Sequence, residues 1–211
     1  ACAPISGSQG KAYFGAMAAA ANFAFANRQI MTHLVRQTFE RYFSSSWERL
    51  GMRLLYDCCH NIAKKETITW DGRRIQACIH RKGATRALGP GDRRLPERFR
   101  KTGQPVLVPG DMGRSSYILA GAPGAKETFS SACHGAGRLL SRQQAKKLGR
   151  GRSILDELKG RGVHAMAASR GTLAEEAPDA YKDVAEVVST ITGAGICRAV
   201  ARLKPLAMVK G

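Results

Sequence analysis

The sequence predicts an α+β fold in which mostly antiparallel strands are combined with helices. Residues 11–43 are rich in Ala, Met, Gln and Arg, which favours a long helix. An Asp71-Gly72 pair between two strand-like segments predicts a β-hairpin. The later strands are short and do not alternate regularly with helices, as a parallel sheet would require. The chain has 211 residues and no internal repeat, so we expect a single domain over residues 1–211.

The first third of the chain predicts a helix, a strand and the hairpin. The helix is expected to be capped near Ser8. Residues 52–58 predict a strand that ends just before His60. The strands of the hairpin are expected at 67–70 and 73–79.

The rest of the chain predicts a long loop followed by short elements. Residues 80–103 are basic and rich in Gly and Pro, which is typical of a loop. The other expected elements are strands at 106–108 and 117–119 around a turn at 109–113, a helix after Ser141 through 147, a helix at 179–192, and strands at 196–209 around Pro205.

The charge of the chain predicts an anionic partner. Lys and Arg number 34 against 16 Asp and Glu, which gives a net charge of +18. Nucleic acid is the first expectation and an acidic membrane surface the second, the alternative being a protein that is merely basic. No apolar run reaches the roughly 18 residues of a membrane span. Six cysteines without a CxxC pair or regular spacing favour reduced thiols and a cytoplasmic protein.

One hexapeptide carries the most specific chemical signal, Cys133-His134-Gly135-Ala136-Gly137-Arg138. Glycine backbone can approach a phosphate closely and direct its N–H groups toward it. A neutral imidazole beside such a loop is a candidate nucleophile, and an arginine can pair with phosphate oxygens. The alternative is a glycine-rich turn with an ordinary histidine. The chain has no P-loop, so a bound nucleotide would need another cradle.

Two further segments contain candidate ligand contacts. Residues 80–86, which include Arg81, Lys82 and Arg86, could bind an RNA or triphosphate backbone or form a solvated basic loop. His60, followed by Asn61, would stand at a strand end, where a histidine serves either as a metal ligand or in a structural role. No His/Cys quartet of zinc-finger type is visible.

Taken together, these segments resemble the RtcB-type RNA ligases. The resemblance runs in order along nearly the whole chain, in seven blocks: 21–24 with 26–29, 56–57 with 60–64, 80–86, 109–110 with 112–113, 133–138, 176–178 with 180–184, and 204–206 with 210–211. It implies stacked, mostly antiparallel sheets with peripheral helices around a central active-site cleft.

The resemblance also implies a reaction. In this family a histidine attacks the α-phosphate of GTP in the presence of Mn²⁺ and becomes guanylylated. A 2′,3′-cyclic phosphate RNA end is opened to a 3′-phosphate, which receives the GMP, and a 5′-hydroxyl end then displaces it. The histidine that matches is His134. The expected substrates are tRNA halves or broken RNA, and an archease-type activator is a possible partner.

Site residues follow from the same resemblance. His60 matches a manganese ligand, and Arg81, Lys82, Arg86 and Arg138 are candidate RNA contacts. The nucleotide-binding candidates are Asn61, Pro109, Gly110, Asp111, Met112, Ser116, His134, Gly135, Ala136, Gly137, Tyr181 and Lys210. The family often has Ser or Thr at the position of Asp111, whose carboxylate would repel a triphosphate unless it turned away.

The other metal ligands of the family lie upstream of the region that aligns. The sequence is therefore expected to be the C-terminal portion of such a ligase, completed by an upstream half. Two other functions remain open: an RNA-binding module without catalysis, and a relative that caps nucleic-acid 3′-phosphates with GMP but does not join them.

Overall fold

The computed structural model describes residues 2–166 and 170–206, apart from the side chains of Arg170 and Thr172. The chain forms two compact units, the first ending at His80 and the second beginning at Arg81. Helices and antiparallel sheets are both present, so the α+β prediction is confirmed.

The first unit begins with one long helix, α1, Ser8–Phe43. The helix starts after Gly7, and no side chain caps it. It ends at Ser44, which adopts a left-handed conformation with φ 48° and donates its N–H to the Glu40 carbonyl. The predicted helix is confirmed over residues 11–43, but the predicted cap near Ser8 is wrong, because Ser8 is the first residue of the helix and no side chain caps it.

The predicted hairpin is also confirmed, with longer strands. β1, Asn61–Trp70, pairs with β2, Arg73–Lys82. Asp71 and Gly72 both have positive φ, 49° and 72°, as the two-residue turn with the twist of a hairpin requires.

The predicted strand at 52–58 is wrong, because these residues have irregular backbone. Side chains of α1 hold the segment instead of a neighbouring strand. Arg36 donates through Nη2 to the Met52 carbonyl at 2.8 Å, and Arg28 pairs with Asp57 at 2.7 Å.

The second unit is built around a three-stranded antiparallel sheet in the order β4-β5-β7. The strands are β4, Pro105–Val108, β5, Ser116–Gly121, and β7, Cys197–Leu203. Val106, Val108 and Leu119 are fully buried and pack in one cluster with residues of a later helix. The strands expected at 106–108 and 117–119 are confirmed. Of the strands expected at 196–209, β7 is present, and 207–209 lie outside the described residues.

A second, smaller sheet interrupts the expected loop at 80–103. β3, Ala84–Arg86, pairs antiparallel with β6, Ser131–Cys133, so that Thr85 lies opposite Ala132. A short helix, α2, Glu97–Arg100, follows. The loop prediction is wrong for these two segments. β3 was not predicted because its partner strand, β6, lies far along the chain.

The described part of the second unit also contains the α-helices α3, Arg142–Leu148, α4, Ile154–Gly160, α5, Arg170–Glu175, and α6, Val184–Gly193, and two short 3-10 helices, Pro123–Thr128 and Pro178–Ala180. Ser141 begins α3 with a capping box to Gln144, which confirms its predicted start. The helix expected at 179–192 starts later, because Tyr181 is extended and Asp183 caps α6.

Among the described helices, none combines the length and the apolar character needed to cross a membrane.

Candidate active site

The turn between β4 and β5 is closed by contacts within itself. The Gly110 N–H donates to Ser116 Oγ at 3.1 Å. A Cβ placed on Gly110 would lie 2.3 Å from the Ser115 carbonyl oxygen, so only glycine fits here. The turn therefore presents backbone instead of a side chain at this position.

Asp111 is directed into the protein. Its side chain is 1% exposed, its Oδ1 accepts the Gly113 N–H at 2.8 Å, and its Oδ2 lies 3.5 Å from Arg114 Nη1. The negative charge is thus paired and shielded, which removes the repulsion expected of a carboxylate beside a phosphate. Met112 packs against an apolar cluster that includes Leu158. These two side chains brace the turn.

His134 directly follows β6, and the loop that contains it lies beside this turn. The His134 N–H donates to the Gly83 carbonyl at 3.0 Å, which fixes where the loop begins. Gly135 and Gly137 have positive φ, 100° and 76°, which favours glycine. A Cβ on Gly135 would lie 3.7 Å from the Pro109 carbonyl oxygen, so two of the predicted nucleotide-binding segments are neighbours.

Arg138 connects the histidine loop to the segment around Tyr181. Its Nη1 donates to the Tyr181 hydroxyl at 2.9 Å, its Nη2 to the Glu175 carbonyl at 2.6 Å, and its Nε to the Leu140 carbonyl at 3.0 Å. The guanidinium carbon lies 4.7 Å from the centre of the Tyr181 ring. Because all three nitrogens are engaged within the protein, we assign Arg138 a positioning role in place of the predicted RNA contact.

Tyr181 is held from several sides. Its hydroxyl donates to Glu176 Oε2 at 2.5 Å, and its carbonyl accepts from Arg114 Nη1 at 3.2 Å. The next residue, Lys182, donates its N–H to the Gly137 carbonyl at 3.0 Å. Sequence reasoning gave no role to Arg114 or Glu176. Two features of the sequence could have indicated these roles. Arg114 comes directly after the turn at 109–113, and Glu176 belongs to one of the seven blocks that carry the family resemblance.

Burial and the hydrogen bond to Glu176 raise the pKa of Tyr181 to about 12. The folded protein therefore holds the phenol proton where an unfolded chain has lost it, so this contribution to stability is complete below pH 10 and declines between about pH 10 and 12. In a spectrophotometric titration that follows phenolate absorbance, we expect a late tyrosine step that Tyr181→Phe removes. Persistence of that step in Tyr181→Phe would contradict the assignment.

The side chains of the remaining candidate RNA contacts differ in their exposure to solvent. Arg81 is 3% exposed and donates to Ser131 Oγ at 2.8 Å and to the Phe129 carbonyl at 2.9 Å, so it stabilises the β3–β6 region. Arg86 is half-buried and donates to Gln104 Oε1 at 3.4 Å. Lys82 is exposed and stays a candidate for a phosphate contact.

His60 and Asn61 belong to the first unit. His60 is half-buried just before β1, and Asn61 is the exposed first residue of that strand. Within residues 2–166 and 170–206, no three His, Cys, Asp or Glu side chains are grouped as a metal site would need. Lys210 lies outside the described residues.

Comparison with known proteins gives a consistent result. A family model described as tRNA-splicing ligase RtcB matches residues 1–211. A tRNA-splicing ligase RtcB of Pyrococcus abyssi is 52% identical over 209 residues, covering 99% of this chain and 23% of the relative. One of Archaeoglobus fulgidus is 51% identical over 212 residues, covering 100% of this chain and 44% of the relative. The chain thus spans less than half the length of these relatives.

Proposed function

This chain belongs to the tRNA-splicing ligase RtcB family, and from that premise we propose that it contributes the guanylyl-transfer site of a GTP- and Mn²⁺-dependent RNA ligase. The enzyme would join a 2′,3′-cyclic phosphate or 3′-phosphate RNA end to a 5′-hydroxyl end, in tRNA splicing or RNA repair. The observation that carries the proposal is the placement of the His134–Gly135 loop beside the Pro109–Gly110 turn.

His134 is the proposed nucleophile. A neutral imidazole nitrogen would attack the α-phosphate of GTP, so that a nitrogen–phosphorus bond forms while the bond to the departing pyrophosphate breaks. The Nδ1 atom of His134 is shielded from solvent, which places one ring nitrogen inside the protein. The hydrogen bond from the His134 N–H to the Gly83 carbonyl fixes the backbone at the nucleophile. This limits how far the imidazole ring can move and favours a productive geometry.

Backbone groups are proposed to receive the nucleotide. Gly135, Ala136 and Gly137 would direct N–H groups at phosphate oxygens, since two of them have the positive φ typical of anion-binding loops. The remaining contacts are proposed at Pro109, Gly110, Asp111, Met112 and Ser116 on the turn, at Tyr181 and Lys210 near the guanine, and at Asn61.

The described residues do not by themselves fit a manganese ion, because no three ligating side chains are grouped among them. A stable site needs several ligands in a fixed geometry. We propose His60 as one ligand and assign the others to a complementary part of the enzyme. An archease-type activator is a further proposed partner.

A second candidate function is RNA binding without catalysis. The net charge of +18 supports it, as does the ungrouped state of the ligating side chains within the described ranges. A third, GMP capping of nucleic-acid 3′-phosphates without joining, would use the same histidine. The binding function predicts no covalent GMP, whereas both enzymatic functions predict it.

Intact-mass spectrometry after incubation with GTP and MnCl₂ tests the proposal. We expect a GMP adduct that is lost in acid, as a phosphoramidate should be, and that maps to His134 by fragmentation. The incubation is performed with the chain alone and with the complementary half of a relative added. An adduct at another residue would overturn the proposal. No adduct in either incubation would also overturn it and would favour the binding function.

A further inference from the structure

A basic cavity of about 500 Å³ lies in the second unit, next to residues 113–115. It is lined by four cationic side chains, Arg114, Arg161, Arg202 and Lys204, which define the basic cavity below. Asp183 is the acidic side chain in its described lining. A volume of this size falls within the range of ligand sites in proteins, and the roles proposed above do not use it.

The charges of the basic cavity are only partly compensated. Asp183 accepts the Ala185 N–H at 2.7 Å as the cap of α6, and its single negative charge can offset only one of the four cations. Arg114 lies 3.5 Å from Asp111. Arg202 donates through Nε to Ser115 Oγ at 3.0 Å, a neutral partner that orients the guanidinium without cancelling its charge.

The cations of the basic cavity come from separate elements. Arg161 follows α4, Arg202 is on β7, Lys204 comes just after β7, and Arg114 is in the turn. Cations carried by separate segments can each contact a different phosphate of an extended strand.

Arg114 also connects the basic cavity to the proposed nucleotide site. It lines the cavity and donates through Nη1 to the carbonyls of Tyr181, at 3.2 Å, and Lys182, at 2.9 Å. We propose that the basic cavity binds backbone phosphates of the RNA strand whose end is being joined. This inference rests on the proposed function for the identity of the strand, and it adds a site that holds the RNA at a distance from the reacting end.

The test compares two double variants with the same loss of charge. Arg161→Gln with Lys204→Gln removes two exposed cations of the cavity, and Arg93→Gln with Lys101→Gln removes two exposed cations that do not line it. Binding of a fluorescent single-stranded RNA with a 5′-hydroxyl is measured by anisotropy over a range of salt. For the cavity variant we expect about tenfold weaker binding and a salt slope smaller by about 1.4, or 0.7 for each phosphate contact.

Three outcomes would overturn the inference. First, the two variants could weaken RNA binding equally. Second, the cavity variant could bind RNA as tightly as the parent protein does. Third, GTP alone could displace the RNA from the parent protein, and the cavity variant could bind GTP more weakly than the parent does. The last outcome would make the cavity a nucleotide site.

The GMP adduct at His134 is measured in the same proteins and keeps the two proposals separate. If the cavity variant forms the adduct normally and its RNA binding is unchanged, only the cavity inference is contradicted. Weakened RNA binding without any adduct in the parent protein, even with the complementary half present, would contradict only the guanylyl-transfer proposal. Unchanged thermal unfolding confirms that both double variants are folded.

Discussion

The His134→Ala variant is expected to form no GMP adduct and to lose ligation activity by about 10⁴-fold or more. The imidazole is the proposed attacking group, and removal of a nucleophile leaves only the catalysis that binding and orientation supply. The loop should survive the change, because its fixed start is a backbone bond from His134 to the Gly83 carbonyl, which alanine also makes. Adduct formation is followed by intact mass and ligation by gel, with the complementary half present.

His164→Ala is the matched control for this variant. His164 is an exposed histidine of the same unit and is not among the proposed site residues. We expect it to form the adduct at the parental rate. If His134→Ala still acquired GMP, His134 would not be the nucleophile, and if both variants lost the adduct together, the loss would no longer support that role.

The Arg138→Gln variant is expected to lower the free energy of unfolding by about 2–4 kcal/mol and to slow adduct formation by about 10²-fold. Glutamine cannot replace three donors that reach Leu140, Glu175 and Tyr181 from one rigid plane. Tyr181 would lose a partner and the histidine loop its link to that segment. Urea unfolding gives the first quantity, and the time course of the GMP adduct gives the second.

Arg138→Lys and Arg142→Gln complete this experiment. Lysine keeps the positive charge but lacks the planar guanidinium with its three donor nitrogens. We therefore expect Arg138→Lys to have about the same free energy of unfolding as Arg138→Gln. Arg142 is 73% exposed and lies 3.9 Å from Glu175, and its replacement should change stability by less than about 1 kcal/mol. Equal destabilisation by Arg142→Gln, or full stability of Arg138→Lys, would contradict the positioning role.

Local chemistry explains the parts of the fold that could be predicted from sequence. The Asp71-Gly72 turn, the helix start at Ser141 and the helix-forming residues of α1 reflect local preferences, and each appears in the structure as expected. The strand expected at 52–58 failed because strand-like residues need a neighbouring strand, and here α1 side chains hold the segment. β3 was missed for the opposite reason, since its partner β6 lies far along the chain.

The candidate site was predictable where backbone conformation defines it. Glycines at 135 and 137 signalled the positive φ that the loop adopts. Charged side chains were less predictable, because residue type indicates a charge but not its partner. Arg81 and Arg138 face protein oxygens, and Asp111 is paired inside its turn. The role of Arg114 could not be predicted, because its hydrogen bonds join the turn to the segment around Tyr181, which lies far along the chain.

The sheet order β4-β5-β7 has a consequence for how the protein folds during synthesis. β5 can pair with β4 as soon as both are made, but its other neighbour comes much later, as the 87-residue separation of Ser115 and Arg202 shows. At about 5–20 residues per second, a ribosome needs roughly 4–17 s to reach that strand. During this interval one edge of β5 lacks its final partner, so a nascent chain stalled before β7 exposes a strand edge that favours aggregation. The turn that is proposed to receive the nucleotide therefore gains its last structural support late in translation.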